Sequence, residues 1–300
     1  MNKWILILAL VISVCSFGKA QSNLHSAASK VAVYKHVDGI DLKVWIFTPP
    51  KHKVEDARPA IIFFFGGGWR TGNPKQFLKH CEYLAARGLV AMTADYRVLS
   101  RDGVKGKKCL ADVKSAIRWM RSHAKELGID PNRIMASGGS AGGHLAAATA
   151  LIPGFDDPSD DVSISAEPNA LALFNPALIL ADVKDVYNVS KERREQMPAR
   201  MGADPIELSP YHHIRQNVGP TIIFHGKADS TVEFETVKLF DQAMDAQGNN
   251  CILVGYEGAG HGFFNYSRKN VRAFTSTLHR LDRFLVDLGY LDPLPIGQDY

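Results

Sequence analysis

The sequence predicts an α/β protein with an eight-stranded, mostly parallel sheet flanked by helices. Short apolar runs recur along the chain, and from the third run onward they alternate with segments of helical apolar periodicity. Strands of a buried parallel sheet are continuously apolar, because helices cover both faces of the sheet. A serine framed by glycines, Gly138-Gly139-Ser140-Ala141-Gly142, directly follows one of these runs.

Eight strands are predicted from the apolar runs. They are Val31–Val37, Leu42–Phe47, Ala60–Phe65, Leu89–Ala94, Arg133–Ala136, Ala170–Phe174, Thr221–Phe224 and Cys251–Gly255. Asp38-Gly39-Ile40-Asp41 separates the first two strands, and such a turn sequence predicts an antiparallel hairpin. The later strands alternate with helices and are therefore expected to be parallel.

Helices are predicted between these strands. They lie near Lys75–Ala86, Cys109–Leu127, Ala141–Leu151, Glu233–Gln247 and Val271–Leu288. In the second helix, Ile117, Met120 and Leu127 share one face, and we expect that face in the core together with Trp119. Residues 178–216, which are charged and contain prolines, interrupt the alternation between the sixth and seventh strands. They predict a small cap or lid insertion within one domain of residues 21–300.

Residues 1–20 have the pattern of a secretory signal peptide. Lys3 precedes an apolar stretch, Trp4–Phe17, and small residues follow. The stretch is too short to span a bilayer comfortably, so stable membrane insertion is not expected. We expect a secreted or periplasmic protein. Lipoprotein anchoring through Cys15 is the alternative, which Val14 disfavours because a small residue is expected there.

The charge balance argues against a nucleic-acid partner or an anionic membrane surface. The formal net charge is +4, and it falls to +2 when residues 1–20 are removed. Basic runs interleaved with aromatic residues do not occur in the sequence. The short basic segment Arg101–Lys108 is interpreted as a solvated loop.

The cysteines and histidines suggest no metal site. Without residues 1–20 the chain keeps Cys81, Cys109 and Cys251, so at least one thiol is unpaired. Whether Cys81 and Cys109 form a disulfide depends on a geometry that sequence does not supply. The sequence has no CxxC pair, and its histidine spacing does not indicate a metal. A phosphate-binding glycine motif is also missing after the third strand.

Ser140 is the candidate nucleophile. Gly-x-Ser-x-Gly lets a strand turn sharply into a helix and leaves the serine exposed at the apex in a strained conformation. The glycines are required because larger side chains would collide across the turn. The predicted strand before this motif and the predicted helix after it provide that setting.

A serine hydroxyl needs a base, and the base needs an orienting acid. After such a turn the expected chain order is serine, acid, histidine. His261 follows the eighth strand in a glycine-rich loop and is the predicted base, whereas His279 falls within an amphipathic helix. Asp229 lies in the turn after the seventh strand and is the predicted acid. His225 ends that strand, and its role stays open.

Acyl transfer also requires donors for an oxyanion. Gly66-Gly67-Gly68 follows the third strand, where backbone N–H groups can supply them. We expect the N–H groups of Gly67, Gly68 and Ala141 to form the oxyanion hole. Trp69, Asn175 and Tyr211 are compatible either with lining a pocket or with ordinary packing.

With these residues the chain resembles the α/β-hydrolase superfamily, and within it the carboxylesterases of the hormone-sensitive-lipase-like group. The resemblance covers about residues 31–290 and implies ester hydrolysis through an acyl-enzyme, with no metal or organic cofactor. Two features depart from the group. Phe65 replaces the histidine of its usual His-Gly-Gly-Gly loop, which should alter how the loop is braced. Residues 21–50 form a linker and a hairpin where lipase-like members carry a helical cap, so an open cleft is expected.

An exported esterase with an open cleft is similar to bacterial enzymes that strip acetyl or aromatic acyl groups from plant polysaccharides. The expected substrate is therefore a small-molecule or carbohydrate ester with a short acyl chain. Two alternatives stay open. A peptidase of the prolyl-oligopeptidase type shares the triad order, although no propeller-length segment precedes the predicted catalytic region. A non-catalytic binding protein would need neither Ser140 nor His261.

Overall fold

The computed structural model describes residue 24 and residues 26–295, so the predicted signal segment lies outside the described part. All eight predicted strands are confirmed. They are β1 (Lys30–Val37), β2 (Ile40–Phe47), β3 (Arg58–Phe64), β4 (Val90–Ala94), β5 (Ile129–Gly139), β6 (Ala170–Phe174), β7 (Thr221–Gly226) and β8 (Cys251–Tyr256).

The strands form one mostly parallel sheet in the order β1-β2-β4-β3-β5-β6-β7-β8. The pairs β1–β2 and β2–β4 are antiparallel, and every later pair is parallel. Asp38 (φ 49°) and Gly39 (φ 75°) make the two-residue hairpin turn, in which both φ angles are positive. The predicted hairpin is confirmed.

Helices flank the sheet. They are α1 (Leu78–Arg87), α2 (Leu99–Asp102), α3 (Gly106–Ser122), α4 (Ala124–Leu127), α5 (Ala141–Leu151), α6 (Lys191–Met201), α7 (Phe234–Ala246) and α8 (Val271–Asp287). Short 3-10 helices cover Val54–Asp56, Pro74–Phe77 and Pro210–His213. Among the described helices, none is long and apolar enough to cross a membrane.

Two predictions, one of a helix and one of a loop, need correction. The helix expected over Cys109–Leu127 is split at His123, whose backbone (φ −98°, ψ 14°) departs from helical geometry. The segment Arg101–Lys108, expected to be a solvated loop, is largely helical, because α2 ends and α3 begins within it. The insertion between β6 and β7 contains α6 and the 3-10 helix at Pro210–His213.

The core lies on both faces of the sheet. Ile62 and Phe64 of β3 belong to one buried cluster, and Ile61 and Phe63 belong to the other, as alternation along a strand requires. Ile117, Met120 and Leu127 are buried as expected, and Trp119 is partly buried.

Cys81 and Cys109 do not form a disulfide. Each belongs to a different core cluster, and Cys81, Cys109 and Cys251 are all free thiols. Burial raises the pKa of the Cys109 thiol and holds it in its neutral form.

His80 of α1 is fully buried in an aromatic cluster. The rings of Phe63, Phe77, Phe174 and Phe274 surround it, at centroid distances of 4.9 to 5.7 Å. Neither ring nitrogen has a hydrogen-bond partner within the described part of the chain. Burial lowers the pKa of His80 from 6.5 to about 3, because the apolar cluster disfavours the charged imidazole.

His80 should make the fold acid-sensitive well above the range where carboxylates titrate. The unfolded chain binds a proton at His80 below its ordinary pKa while the folded chain does not, so stability falls as pH drops from 6.5 towards 3. By pH 5 this side chain should cost about 2 kcal/mol relative to pH 8.

We therefore expect His80→Leu to raise the free energy of unfolding, and to raise it more at pH 5 than at pH 8. Urea titrations at both pH values measure this difference. His36→Leu is the matched control, because the His36 side chain is 78% exposed. An equal gain in the free energy of unfolding for His80→Leu at both pH values would refute a neutral, buried His80.

Candidate active site

Ser140 lies at the apex of a sharp turn between β5 and α5. Its backbone has φ 53° and ψ −118°, a strained conformation for a residue with a side chain. Its N–H donates to the Phe174 carbonyl at 2.8 Å, which ties the turn to β6. A Cβ on Gly138 would lie 2.4 Å from the Gly142 carbonyl carbon, and one on Gly142 would lie 2.0 Å from the Phe64 oxygen. The turn therefore requires both glycines.

The structure brings His261 to Ser140 and Asp229. His261 Nε2 lies 2.9 Å from Ser140 Oγ, and His261 Nδ1 lies 2.7 Å from Asp229 Oδ2. The loop after β8 carries His261, and Gly258 (φ 66°) and Gly262 (φ 80°) shape it. The His261 side chain is 25% exposed, whereas that of Asp229 is fully buried. The imidazole can therefore meet a ligand while its carboxylate partner stays dry.

Asp229 is an ionised carboxylate whose two oxygens are both hydrogen-bonded. Oδ1 accepts from the N–H groups of Thr231 (2.8 Å) and Val232 (3.0 Å), while Oδ2 faces His261. Burial alone would raise the pKa of Asp229. Hydrogen bonds from the side chains of His225 and His261 and from those two N–H groups outweigh burial and hold the pKa well below its usual range.

His225 braces the turn that carries Asp229 and is fully buried. Its Nε2 lies 2.8 Å from the Val232 carbonyl oxygen and 3.4 Å from Asp229 Oδ2. A carbonyl oxygen only accepts, so Nε2 carries the proton and donates. The open question of His225 is thereby answered in structural terms: it contacts the acid and does not line the cleft.

The glycine loop lies beside the serine. A Cβ on Gly66 would come within 3.3 Å of Ser140 Cβ. The Gly66 N–H is occupied, because it donates to Gln76 Oε1 at 2.6 Å. The N–H groups of Gly67, Gly68 and Ala141 donate to no acceptor among the described residues, so they can bind a ligand oxygen.

Phe65 is held by Tyr96. Its ring stacks on Tyr96, with centroids 4.0 Å apart, and the Tyr96 hydroxyl donates to the Phe65 carbonyl at 2.5 Å. The start of the glycine loop is therefore supported by a stacked ring and by a hydrogen bond to the backbone.

Trp69 supplies a second brace. Its backbone has φ 60°, and its indole N–H donates to His144 Nδ1 at 3.1 Å. His144 Nε2 in turn donates to the Leu208 carbonyl at 2.6 Å, within the insertion between β6 and β7. Burial lowers the pKa of His144 to about 4, so the imidazole is neutral and can accept at one nitrogen while donating from the other. Trp69 is therefore a buried support of the loop and not a pocket wall.

Within the described residues, no cluster of three or more His, Cys, Asp or Glu side chains is arranged to hold a metal ion.

The fold is the α/β-hydrolase fold, and solved structures similar to this chain are named esterases. Residues 45–244 match the BD-FAE family. This match covers two thirds of the chain, and the chain belongs to that family.

Solved structures of esterase 2 from Thermogutta terrifontis are similar to this chain. The form phosphonylated by sarin is 54% identical, with a TM-score of 0.86, over 88% of this chain and 96% of that one. The butyrate-bound form is 54% identical, with a TM-score of 0.84, over 89% and 96%.

Among curated proteins, esterase LipC of Mycobacterium tuberculosis is 29% identical over 226 residues, which are 68% of this chain and 53% of LipC. The chain spans about half the length of the curated relatives that it matches.

Trp69→Phe should destabilise the folded protein by about 1–3 kcal/mol, because it leaves the buried Nδ1 of His144 without a donor. Urea unfolding measures the loss. Trp119→Phe is the control, since Trp119 is only partly buried. In a His144→Leu background the loss from Trp69→Phe should shrink. A loss that is unchanged in that background would show that the Trp69–His144 hydrogen bond contributes nothing.

Proposed function

We propose that this protein is a serine carboxylesterase that hydrolyses short-chain acyl esters through an acyl-enzyme on Ser140. The observation that carries the proposal is the continuous hydrogen-bonded line from Ser140 Oγ through His261 to the buried Asp229. The similar esterase 2 of Thermogutta terrifontis has been solved with propionate and with butyrate bound, which supports a short acyl chain.

Acylation begins when Ser140 Oγ attacks the ester carbonyl carbon and passes its proton to His261 Nε2. Asp229 stabilises the imidazolium through Nδ1 and fixes the tautomer that leaves Nε2 free to accept. The carbonyl oxygen becomes an oxyanion held by the N–H groups of Gly67, Gly68 and Ala141. The intermediate then expels the alcohol, which takes the proton from His261, and the acyl group stays on Ser140.

Deacylation repeats these steps with water. His261 takes a proton from the water as its oxygen attacks the acyl carbon, and the same N–H groups hold the second oxyanion. The serine oxygen leaves with the proton from His261, and the carboxylic acid is released. One fixed donor to an oxyanion is worth about 3 kcal/mol of barrier, so the loop matters as much as the base.

Two other functions make different predictions. A peptidase would cleave aminoacyl anilides, whereas the esterase should hydrolyse p-nitrophenyl esters and leave the anilides intact. A non-catalytic binding protein would stay folded and fail to react with a fluorophosphonate probe.

We also propose that the natural esters are carried on a polar, carbohydrate-like alcohol and that residues 1–20 direct export. A groove of about 720 Å³ beside Gly66 and Gly67 supports the first point, since Asn73, Lys75 and the half-exposed Tyr266 line it. Acetate release from acetylated xylan, compared with p-nitrophenyl acetate, tests the substrate. The N-terminus of the mature protein tests export.

Ser140→Ala should abolish ester hydrolysis and labelling by the fluorophosphonate probe. The free energy of unfolding should change little, because the strain of the turn lies in the backbone and alanine meets the same strain. Activity near that of the wild type would mean that another residue is the nucleophile.

Asp229→Asn should lower kcat about 10⁴-fold, because an amide can hold His261 in the wrong tautomer. Initial rates with p-nitrophenyl butyrate measure the effect. Asp185→Asn is the control, since Asp185 is exposed. Equal rates for both variants would exclude Asp229 as the orienting acid.

A further inference from the structure

Asn175 directly follows β6 in a costly conformation. Its φ is 43°, in the left-handed region that asparagine tolerates better than most residues, and its side chain is fully buried. Such strain persists only where the surroundings impose it, and it concentrates at functional sites. The contacts of the Asn175 amide show what the strain secures.

The amide of Asn175 can be oriented from its neighbours. Its Oδ1 accepts from the Gly226 N–H at 3.3 Å, and a backbone N–H can only donate. The opposite atom, Nδ2, therefore points at the acid and donates to Asp229 Oδ2 at 2.7 Å. In a flipped amide, Nδ2 would face the Gly226 N–H and Oδ1 would face the Asp229 carboxylate. Both contacts would be repulsive, so the fold selects one orientation.

The Asn175 amide contacts the loops that carry Asp229 and His261, and the adjoining backbone contacts the Ser140 turn. Nδ2 lies 3.5 Å from the Gly260 carbonyl oxygen, next to His261 in the chain. The Asn175 N–H donates to the Phe224 carbonyl of β7 at 2.8 Å, and the Phe174 carbonyl accepts from the Ser140 N–H.

We propose that Asn175 is a positioning residue that fixes the Asp229 carboxylate in the orientation in which Oδ2 faces His261. The inference rests on the proposed function. Since the two N–H groups of the acid turn occupy Oδ1, Oδ2 is left for side-chain donors. Asn175 and His261 lie at 2.7 Å, and His225 Nε2, which donates to the Val232 carbonyl, lies at 3.4 Å. The amide sets the direction of Oδ2 and also the strength of the hydrogen bond that Oδ2 accepts from His261.

Removing the amide should therefore act through His261 and not through substrate binding. Asn175 is fully buried and cannot touch a substrate, so KM should change little. Without the Nδ2 donor the direction of Oδ2 is no longer fixed, so the hydrogen bond between Oδ2 and His261 Nδ1 should change. The fall in activity should therefore appear in kcat.

Asn175→Gly separates positioning from folding, because glycine adopts a positive φ without strain. We expect the protein to stay folded with a lowered thermal midpoint, because the buried Asp229 charge loses a donor, and kcat to fall roughly 10- to 100-fold with KM little changed. Asn217→Gly is the matched control: Asn217 also has a positive φ (61°) but is exposed, so its kinetics should equal the wild type. An unchanged kcat in Asn175→Gly would overturn the proposal.

Asn175→Asp is a second variant, because an aspartate side chain has the shape of asparagine and tolerates a positive φ. It sets a carboxylate against Asp229, so its activity should lie below that of Asn175→Gly; wild-type activity would contradict the proposal. The His261 Nδ1–H resonance, read by proton NMR without substrate, should move in Asn175→Gly and stay fixed in Asn217→Gly. A resonance that moves in neither variant would overturn the proposal, whether or not the wild type hydrolyses esters. A wild type that hydrolyses no ester would refute only the proposed function.

Discussion

A carboxylate without access to water lies where the loops after β6, β7 and β8 meet. Burying the charge of Asp229 would be costly by itself, and the fold offsets that cost with donors from each of these loops, Asn175, Val232 and His261 among them. If any of these loops moved, the Asp229 carboxylate would lose a hydrogen-bond donor. The distance between the imidazole and the serine follows from this constraint.

A second constraint acts on the other side of the serine. The turn at Ser140 allows no side chain at Gly138 or Gly142, so β5, α5 and the end of β3 pack backbone against backbone. The loop after β3 is held there by Gln76 and, through Trp69 and His144, by the insertion between β6 and β7. These contacts leave the N–H groups of Gly67 and Gly68 without an acceptor among the described residues.

The sequence predicted the parts of this arrangement that are local. The eight strands follow from apolar runs, and Ser140, Asp229 and His261 follow from motifs at strand ends. The roles of Asn175 and His144 escaped prediction because their partners are distant: Asn175 lies 54 residues from Asp229, and Trp69 lies 75 from His144. The helices α2 and α6 were missed because α2 is a single turn and α6 is charged, with little apolar periodicity.

The central claim is that backbone N–H groups of the loop after β3 and of the first residue of α5 stabilise the oxyanion that forms when Ser140 attacks an ester. A crystal structure of the protein after reaction with a fluorophosphonate tests it directly. The account predicts a phosphorus bonded to Ser140 Oγ and a phosphoryl oxygen about 2.7–3.1 Å from the N–H groups of Gly67, Gly68 and Ala141. An adduct on another residue, or a phosphoryl oxygen turned away from these groups, would contradict it.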